Sequence, residues 1–415
     1  MRLGIITLLL ALLLATPIAC ASDAIDLNPA PTPEAELPAQ LPPLSPSALE
    51  EALPFNANCG ALLLAEQQSG QIIFAMNPDS PRPVASVTKV MTILLALEML
   101  DAGRLRLEDP VSVSKTAAGM GGSQVLLDVG ERQTAATLLK SMIVGSANDA
   151  AVALAEAMYG SEAACVEAMN ARAAELGMEG THFVNCTGLP AEGQHTTARD
   201  VAVMARQMFS HDLYYEYSKI WMEDLDHGDG RATQLVNTNK LLRLYDGCDG
   251  GKTGSTQEAG YCVAATATRG GMRLVAVVLG APSGAERFDL AARMLDHGFA
   301  NYRLYPVARA GTRVRGELPV TGGAKSGVGL ALLSDLTLLV RKGEEQDIRL
   351  VPDLPESVPA PVAAGDRVGS VAVVRDGRTL AEIPVAACES VEIRGIARGI
   401  EAFWRLWPLL GEGAA

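Results

Sequence analysis

Ser86 and Lys89 stand three positions apart at the head of the apolar run Val90-Met91-Thr92-Ile93-Leu94. On a helix that separation is one turn, so both side chains share a face. A serine hydroxyl is a weak nucleophile and needs an adjacent base. A lysine amine serves as that base only when it has lost its proton, and burial favours the loss because the charged form gives up its water. A second cation, Lys252, is expected to press Lys89 the same way. Backbone N–H groups at the helix start suit a carbonyl oxygen that gains negative charge. The chemistry this predicts is acyl transfer. Ser-x-x-Lys alone is a common accident, and its weight comes from what surrounds it.

Ser146 and Asn148 lie two apart in a bend, where both can face one cleft. Ser146 is a candidate to relay a proton to the leaving group, and Asn148 to hold a substrate amide. The competing reading is that Ser146, Asn148 or Asp149 merely caps a helix. Lys252-Thr253-Gly254 reads as a strand edge, with an ammonium and a hydroxyl placed for a carboxylate and a glycine that lets another backbone come close. Gly251-Lys252-Thr253 also resembles the end of a phosphate-binding loop. That loop requires glycine five positions before Gly251, and Asp246 stands there instead.

These residues need a frame. The runs 61–65 and 72–75 around Gly70 predict a hairpin. Helical spacing of Val90, Met91, Ile93, Leu94, Leu97 and Leu100 predicts a helix over 88–100, stopped by Gly103. Further helices are expected over 134–143 and 149–158, from 198 onward, and over 287–301. Strands are expected over 261–268 and 273–279, with 252–254 on a neighbour. The fold class is therefore α+β, one sheet built from distant parts of the chain and covered by helices. Beyond residue 305, short β-like runs between glycine and proline turns predict a small all-β domain.

Arg2, the apolar run from Leu3 and the site Ala19-Cys20-Ala21 read as an export signal over 1–21. A lipidated Cys20 is the rival and fits its preceding residues less well. Residues 22–52, rich in proline and alanine, are expected to be a linker. The remaining boundaries are a domain over 53–304 that holds these motifs, the β domain over 305–390 and a tail over 391–415. In that tail Ile393, Ile396, Ile400, Phe403, Trp404 and Trp407 cluster on one helical side, with arginines elsewhere. An amphipathic helix on a membrane surface is the expectation, and docking on the β domain the alternative. A formal charge of −14 argues against nucleic acid. Seven cysteines show no zinc spacing, and no cofactor or metal is called for. Cys248 and Cys262 are the pair most worth testing for a disulfide, with buried free thiols as the competing reading.

With these motifs in place, the chain resembles the D-alanyl-D-alanine carboxypeptidase family of low-molecular-mass penicillin-binding proteins. The blocks Gly188-Leu189-Pro190, 193–200, Glu258-Ala259-Gly260-Tyr261 and Glu286-Arg287 strengthen the likeness, which spans about residues 55–305. It implies a β-lactamase/transpeptidase-like domain followed by the β domain and helix. It further implies that Ser86 is acylated by the penultimate D-alanine of peptidoglycan stem peptides, with Lys89 as proton acceptor and Ser146 as proton relay. Asn148 would contact substrate, and Lys252, Thr253 and Arg287 would hold the terminal carboxylate. Gly254 borders the same site, and the backbone N–H groups of Ser86 and Ser255 would form the oxyanion hole. β-Lactams would acylate Ser86, and the protein would work outside the cytoplasm. Ser255 and Thr238 stand where some relatives carry histidine and arginine. A D,D-endopeptidase, a class A-like β-lactamase and a non-catalytic wall-binding protein are the alternatives.

Overall fold

Residues 61–66, Ala-Leu-Leu-Leu-Ala-Glu, are buried on both sides of the strand they form, which explains why the run is apolar without alternation. In the computed structural model, which describes residues 41–46 and 55–395, they belong to a six-stranded sheet. Its strands are β1 (Ser45–Pro46), β2 (Ala61–Glu66), β3 (Gln71–Met76), β4 (Cys248–Thr256), β5 (Gly260–Arg269) and β6 (Met272–Ala281). The order across the sheet is β1-β3-β2-β6-β5-β4, so strands more than 200 residues apart in sequence meet where β2 pairs antiparallel with β6 through Leu63↔Val277. All pairings except the parallel β1–β3 contact are antiparallel.

The helices that matter to the site are α1 (Lys89–Asp101), α2 (Ala135–Val144), α3 (Asn148–Tyr159), α4 (Glu162–Glu175), α5 (Ala198–Met208) and α6 (Gly284–Asn301). Leu62, Leu64, Val263, Ala265 and Leu274 face α6 through Ala291 and Leu295. Leu63, Ala65, Ala264, Val275 and Val277 face the opposite layer, which contains α1, α2, α3 and α5. Helix α1 is covered nearly all round: Lys89 to Leu97 are buried without a break. Each large apolar side chain so buried stabilises the fold by about 1.5–3 kcal/mol. Caps set the starts of the other helices, with Thr134, Ser161, Thr197 and Ser283 each accepting a backbone N–H three residues on.

The described chain divides into two compact units. One reaches to Leu304 and takes in Leu339–Lys342, and the other holds Tyr305–Leu338 and the residues from Gly343. The second contains an all-β sheet including Arg313–Thr321, Gly327–Leu332, Arg349–Asp353, Arg367–Arg375 and Arg378–Ala387, cored by Val328, Leu330, Val371, Val373, Ile383 and Val385. Extended pairing continues further than the sequence pattern suggests. Val391 bridges Val362 and Ile393 bridges Gly323, so residues 391–395 are not helical, and Ile393 lies on a strand-like edge. The rest of the expected tail helix, the export signal and the linker up to residue 40 lie outside the described residues.

The disulfide expectation is corrected. Cys248 and Cys262 are free, and the register places Cys248 opposite Ala267 but Cys262 opposite Gly254. Six residues of strand, roughly 20 Å, separate those rungs, far beyond the reach of an S–S bond.

Gly188 packs against the turn that carries Ser86. It has φ +85°, and a Cβ there would lie 1.9 Å from the Ala85 carbonyl oxygen. Gly188→Ala is expected to lower stability by about 2 kcal/mol or more through left-handed strain and the clash together. Thermal unfolding checks this, and a melting temperature equal to wild type would contradict it.

Candidate active site

Ser86 lies in a short 3-10 turn (Ala85–Thr88) that leads directly into α1, whose first residue is Lys89. The turn is gripped from two sides. Gly188 abuts Ala85, and Gly254 on β4 is so close that a Cβ would sit 2.8 Å from the Ser86 nitrogen and 2.5 Å from the Val84 carbonyl oxygen. The backbone that approaches Gly254 here is the chain's own nucleophile turn. Ala85 takes φ +50°, a strained value for a residue with a side chain.

Lys89 is fully buried and has three polar neighbours: Ser86 Oγ at 2.9 Å, Asn148 Oδ1 at 2.5 Å and the Thr187 carbonyl oxygen at 2.7 Å. Asn148 Oδ1 and Thr187 O can only accept. A neutral amine has two N–H donors and one lone pair. It can donate to both carbonyl oxygens and turn its lone pair to the Ser86 hydroxyl. Burial drives the Lys89 amine down to about 7, with Asp149 among the groups opposing the fall. Among the described residues no carboxylate forms an ion pair with Lys89, and Asp149 spends its oxygens on the N–H groups of Val125, Leu127 and Ala150.

The sequence reading had Lys252 pressing on Lys89. The structure resolves that repulsion on the other partner. Lys252 is held well below its ordinary value, first by burial and then by the charges of Lys89 and Arg287, whereas desolvation accounts for Lys89.

The capping alternative for Ser146 and Asn148 does not hold. The N-cap of α3 is Ala147, with no side-chain cap. Ser146 sits at φ +60°, and its Oγ accepts a hydrogen bond from Lys252 Nζ at 2.7 Å. Asn148 is fixed at both ends, accepting from Lys89 and donating from Nδ2 to the Gly121 carbonyl oxygen at 2.6 Å. Lys252 also donates to the Thr253 carbonyl oxygen at 2.9 Å. Thr253 Oγ1 donates to Thr238 Oγ1 at 2.8 Å. Ser255, next along β4, is exposed. Arg287 Nη1 donates to the carbonyl oxygens of Gly254 at 3.1 Å and Cys262 at 3.3 Å, bracing the β4–β5 ladder from α6.

The sequence left no trace of two contributors. Thr187 acts through its backbone oxygen, which no side-chain pattern reveals. Thr238 was noted only as a departure, and its partnership with Thr253 depends on the Asn237 turn, where Asn237 Nδ2 donates to the Ser218 and Ile220 carbonyl oxygens.

A family profile described as D-alanyl-D-alanine carboxypeptidase matches residues 48–283, and one described as penicillin-binding protein 5, C-terminal domain, matches 302–393. The chain is 37% identical over 334 residues to D-alanyl-D-alanine carboxypeptidase DacF of Bacillus subtilis, covering 80% of this chain and 86% of that one. It is 33% identical over 359 residues to DacC of Escherichia coli, covering 84% and 87%. Penicillin-binding protein 5 of Haemophilus influenzae is similar in structure, with a TM-score of 0.74 at 30% identity, covering 82% of this chain and 100% of that chain.

Only the uncharged Lys89 amine can take the Ser86 proton. The rate of Ser86 acylation is therefore expected to rise with pH through a midpoint near 7 and to flatten above it. Stopped-flow acylation by a chromogenic penicillin checks this, and a rate still climbing toward pH 10 would contradict it.

Proposed function

The chain belongs to the D-alanyl-D-alanine carboxypeptidase family, and from that membership we propose that it releases the terminal D-alanine of peptidoglycan stem pentapeptides through an acyl-enzyme on Ser86. The observation that carries the assignment of roles is the 2.9 Å separation of the buried Lys89 Nζ from Ser86 Oγ, which puts the amine, once neutral, in reach of the Ser86 proton. Ser86 Oγ attacks the carbonyl carbon of the penultimate D-alanine while its proton passes to Lys89 Nζ. The backbone N–H groups of Ser86 and Ser255 receive the developing oxyanion. As the C–N bond breaks, the departing amine takes a proton through Ser146, whose hydroxyl is oriented by Lys252. Water then attacks the ester, frees the shortened peptide and restores Ser86.

The terminal carboxylate is received at Lys252 and Thr253, the Thr253 hydroxyl turning from Thr238 to donate to it, while Arg287 supports the strand behind them and adds positive charge. Asn148 holds Lys89 in line and presents its amide to the substrate. β-Lactams acylate the same serine. Because family members act on peptidoglycan, the place of work is the periplasmic or cell-wall space, reached through the export signal over 1–21. Peripheral association with the membrane surface is proposed for residues 396–410. That segment keeps Ile396, Ile400, Phe403, Trp404 and Trp407 together with Arg398 and Arg405. No described helix is long and apolar enough to cross a membrane.

Ser86→Ala is expected to abolish covalent labelling by fluorescent penicillin and release of D-alanine, and Lys89→Ala to slow acylation by about two to four powers of ten. Labelling that survives in Ser86→Ala would overturn the assignment. Truncation after Gly395 is expected to move the protein from the membrane to the soluble fraction; an unchanged distribution would exclude the tail as the anchor.

A further inference from the structure

A cavity of about 530 Å³ opens beside the reaction centre, at the end of the sheet where β4 turns into β5. Its lining includes Arg82, Ser255, Thr256, Glu258, Tyr261 and Pro282. Ser255 is shared with the proposed oxyanion hole, and Gly254 before it touches the Ser86 turn. The cavity therefore begins within one residue of the nucleophile.

Arg82 has no role in the chemistry described above, and its guanidinium is unpaired. It lies flat on Gly60, where a Cβ would come within 2.2 Å of its Cζ, and its Nε is buried without an acceptor. No carboxylate forms an ion pair with it among the described residues. The thiols near it, Cys59 and Cys262, are pushed up to about 11 by burial and supply no negative charge at neutral pH. Glu258 lines the same cavity and is exposed, yet forms no ion pair with Arg82. Arg82 is half-buried, and a guanidinium that lines a cavity with no anion beside it is a ready partner for a ligand carboxylate.

We propose that this cavity is a subsite for an amino-acid head on the substrate, with its carboxylate on Arg82 and its ammonium toward Glu258. The inference rests on the reading of Ser86 and Thr253 given above. With the terminal carboxylate at Thr253 and the scissile carbonyl at Ser86, an extended peptide continues past Ser255 and Thr256 at about 3.3 Å per residue. The side chain of the residue before the acylating D-alanine then enters the cavity. A diamino acid with a carboxylate at the far end of its side chain, such as diaminopimelate, fills both positions. Lysine, which lacks only that carboxylate, leaves Arg82 unpaired.

The test compares D-alanine release from two soluble pentapeptides that differ only at this residue, lysine against diaminopimelate. The full-length wild-type protein is expected to favour diaminopimelate by about tenfold or more in kcat/KM, the value of one charge-assisted contact. Arg82→Gln is expected to erase that preference while leaving the lysine peptide and penicillin acylation of Ser86 unchanged, and Arg82→Lys to keep part of it. Equal kcat/KM for the two peptides in the wild type, or a preference that persists in Arg82→Gln, would overturn the proposal. Failure to release D-alanine from either peptide would instead overturn the carboxypeptidase reading, so the two failures are distinguishable.

Discussion

A lysine amine sealed from water, with no carboxylate paired to it, is the constraint on which the site depends. Lys89 is held by carbonyl oxygens and a hydroxyl alone. Burial away from water penalises the ammonium, and no anion among the described residues is paired with it to offset that penalty. The layer around α1 exists to maintain that exclusion: the sheet lies on one side, α3 and α5 on others, and every residue from Lys89 to Leu97 is covered. A carboxylate next to Lys89 would stabilise the fold locally and disable the base. Asp149, the nearest candidate, is instead committed to three backbone N–H groups.

Close backbone contacts give this chemistry its geometry. The Ser86 turn is wedged between Gly188 and Gly254, and it accepts a left-handed residue at Ala85. Ser146 takes a second left-handed conformation and thereby reaches Lys252. Each costs on the order of 1–2 kcal/mol, which the well-packed layers on both faces of the sheet absorb. The strands are therefore clamps as well as scaffold, since β4 carries Lys252 and Thr253 and also presses on the nucleophile turn.

Much of this was legible in the sequence. Uninterrupted apolar runs marked strands covered on both faces, and the spacing from Val90 to Leu100 marked the central helix. The three motifs named the polar residues that the fold gathers. What the sequence could not convey was direction. Asn148 was read as a substrate contact, and its oxygen is in addition turned to Lys89. Gly254 was read as room for a ligand, but its nearest neighbour is the Ser86 turn. Arg287 was expected on a carboxylate, and nothing in the sequence showed that its Nη1 also braces the carbonyl oxygens of Gly254 and Cys262. The Cys248–Cys262 pairing failed because strand register, which neighbouring positions in sequence do not specify, sets those rungs far apart. The helix expected from residue 391 failed at its start because Val391 and Ile393 find β partners in a distant loop and strand end.

Direct titration of Lys89 tests the central claim most closely. Lysine labelled with ¹³C at Cε, observed by NMR and assigned by comparison with Lys89→Arg, reports the protonation of this amine independently of any rate. The account predicts a midpoint near 7, about three units below an ordinary lysine. An amine that stays protonated to pH 10 would contradict it, because the base on which acyl transfer at Ser86 depends would then not exist at neutral pH.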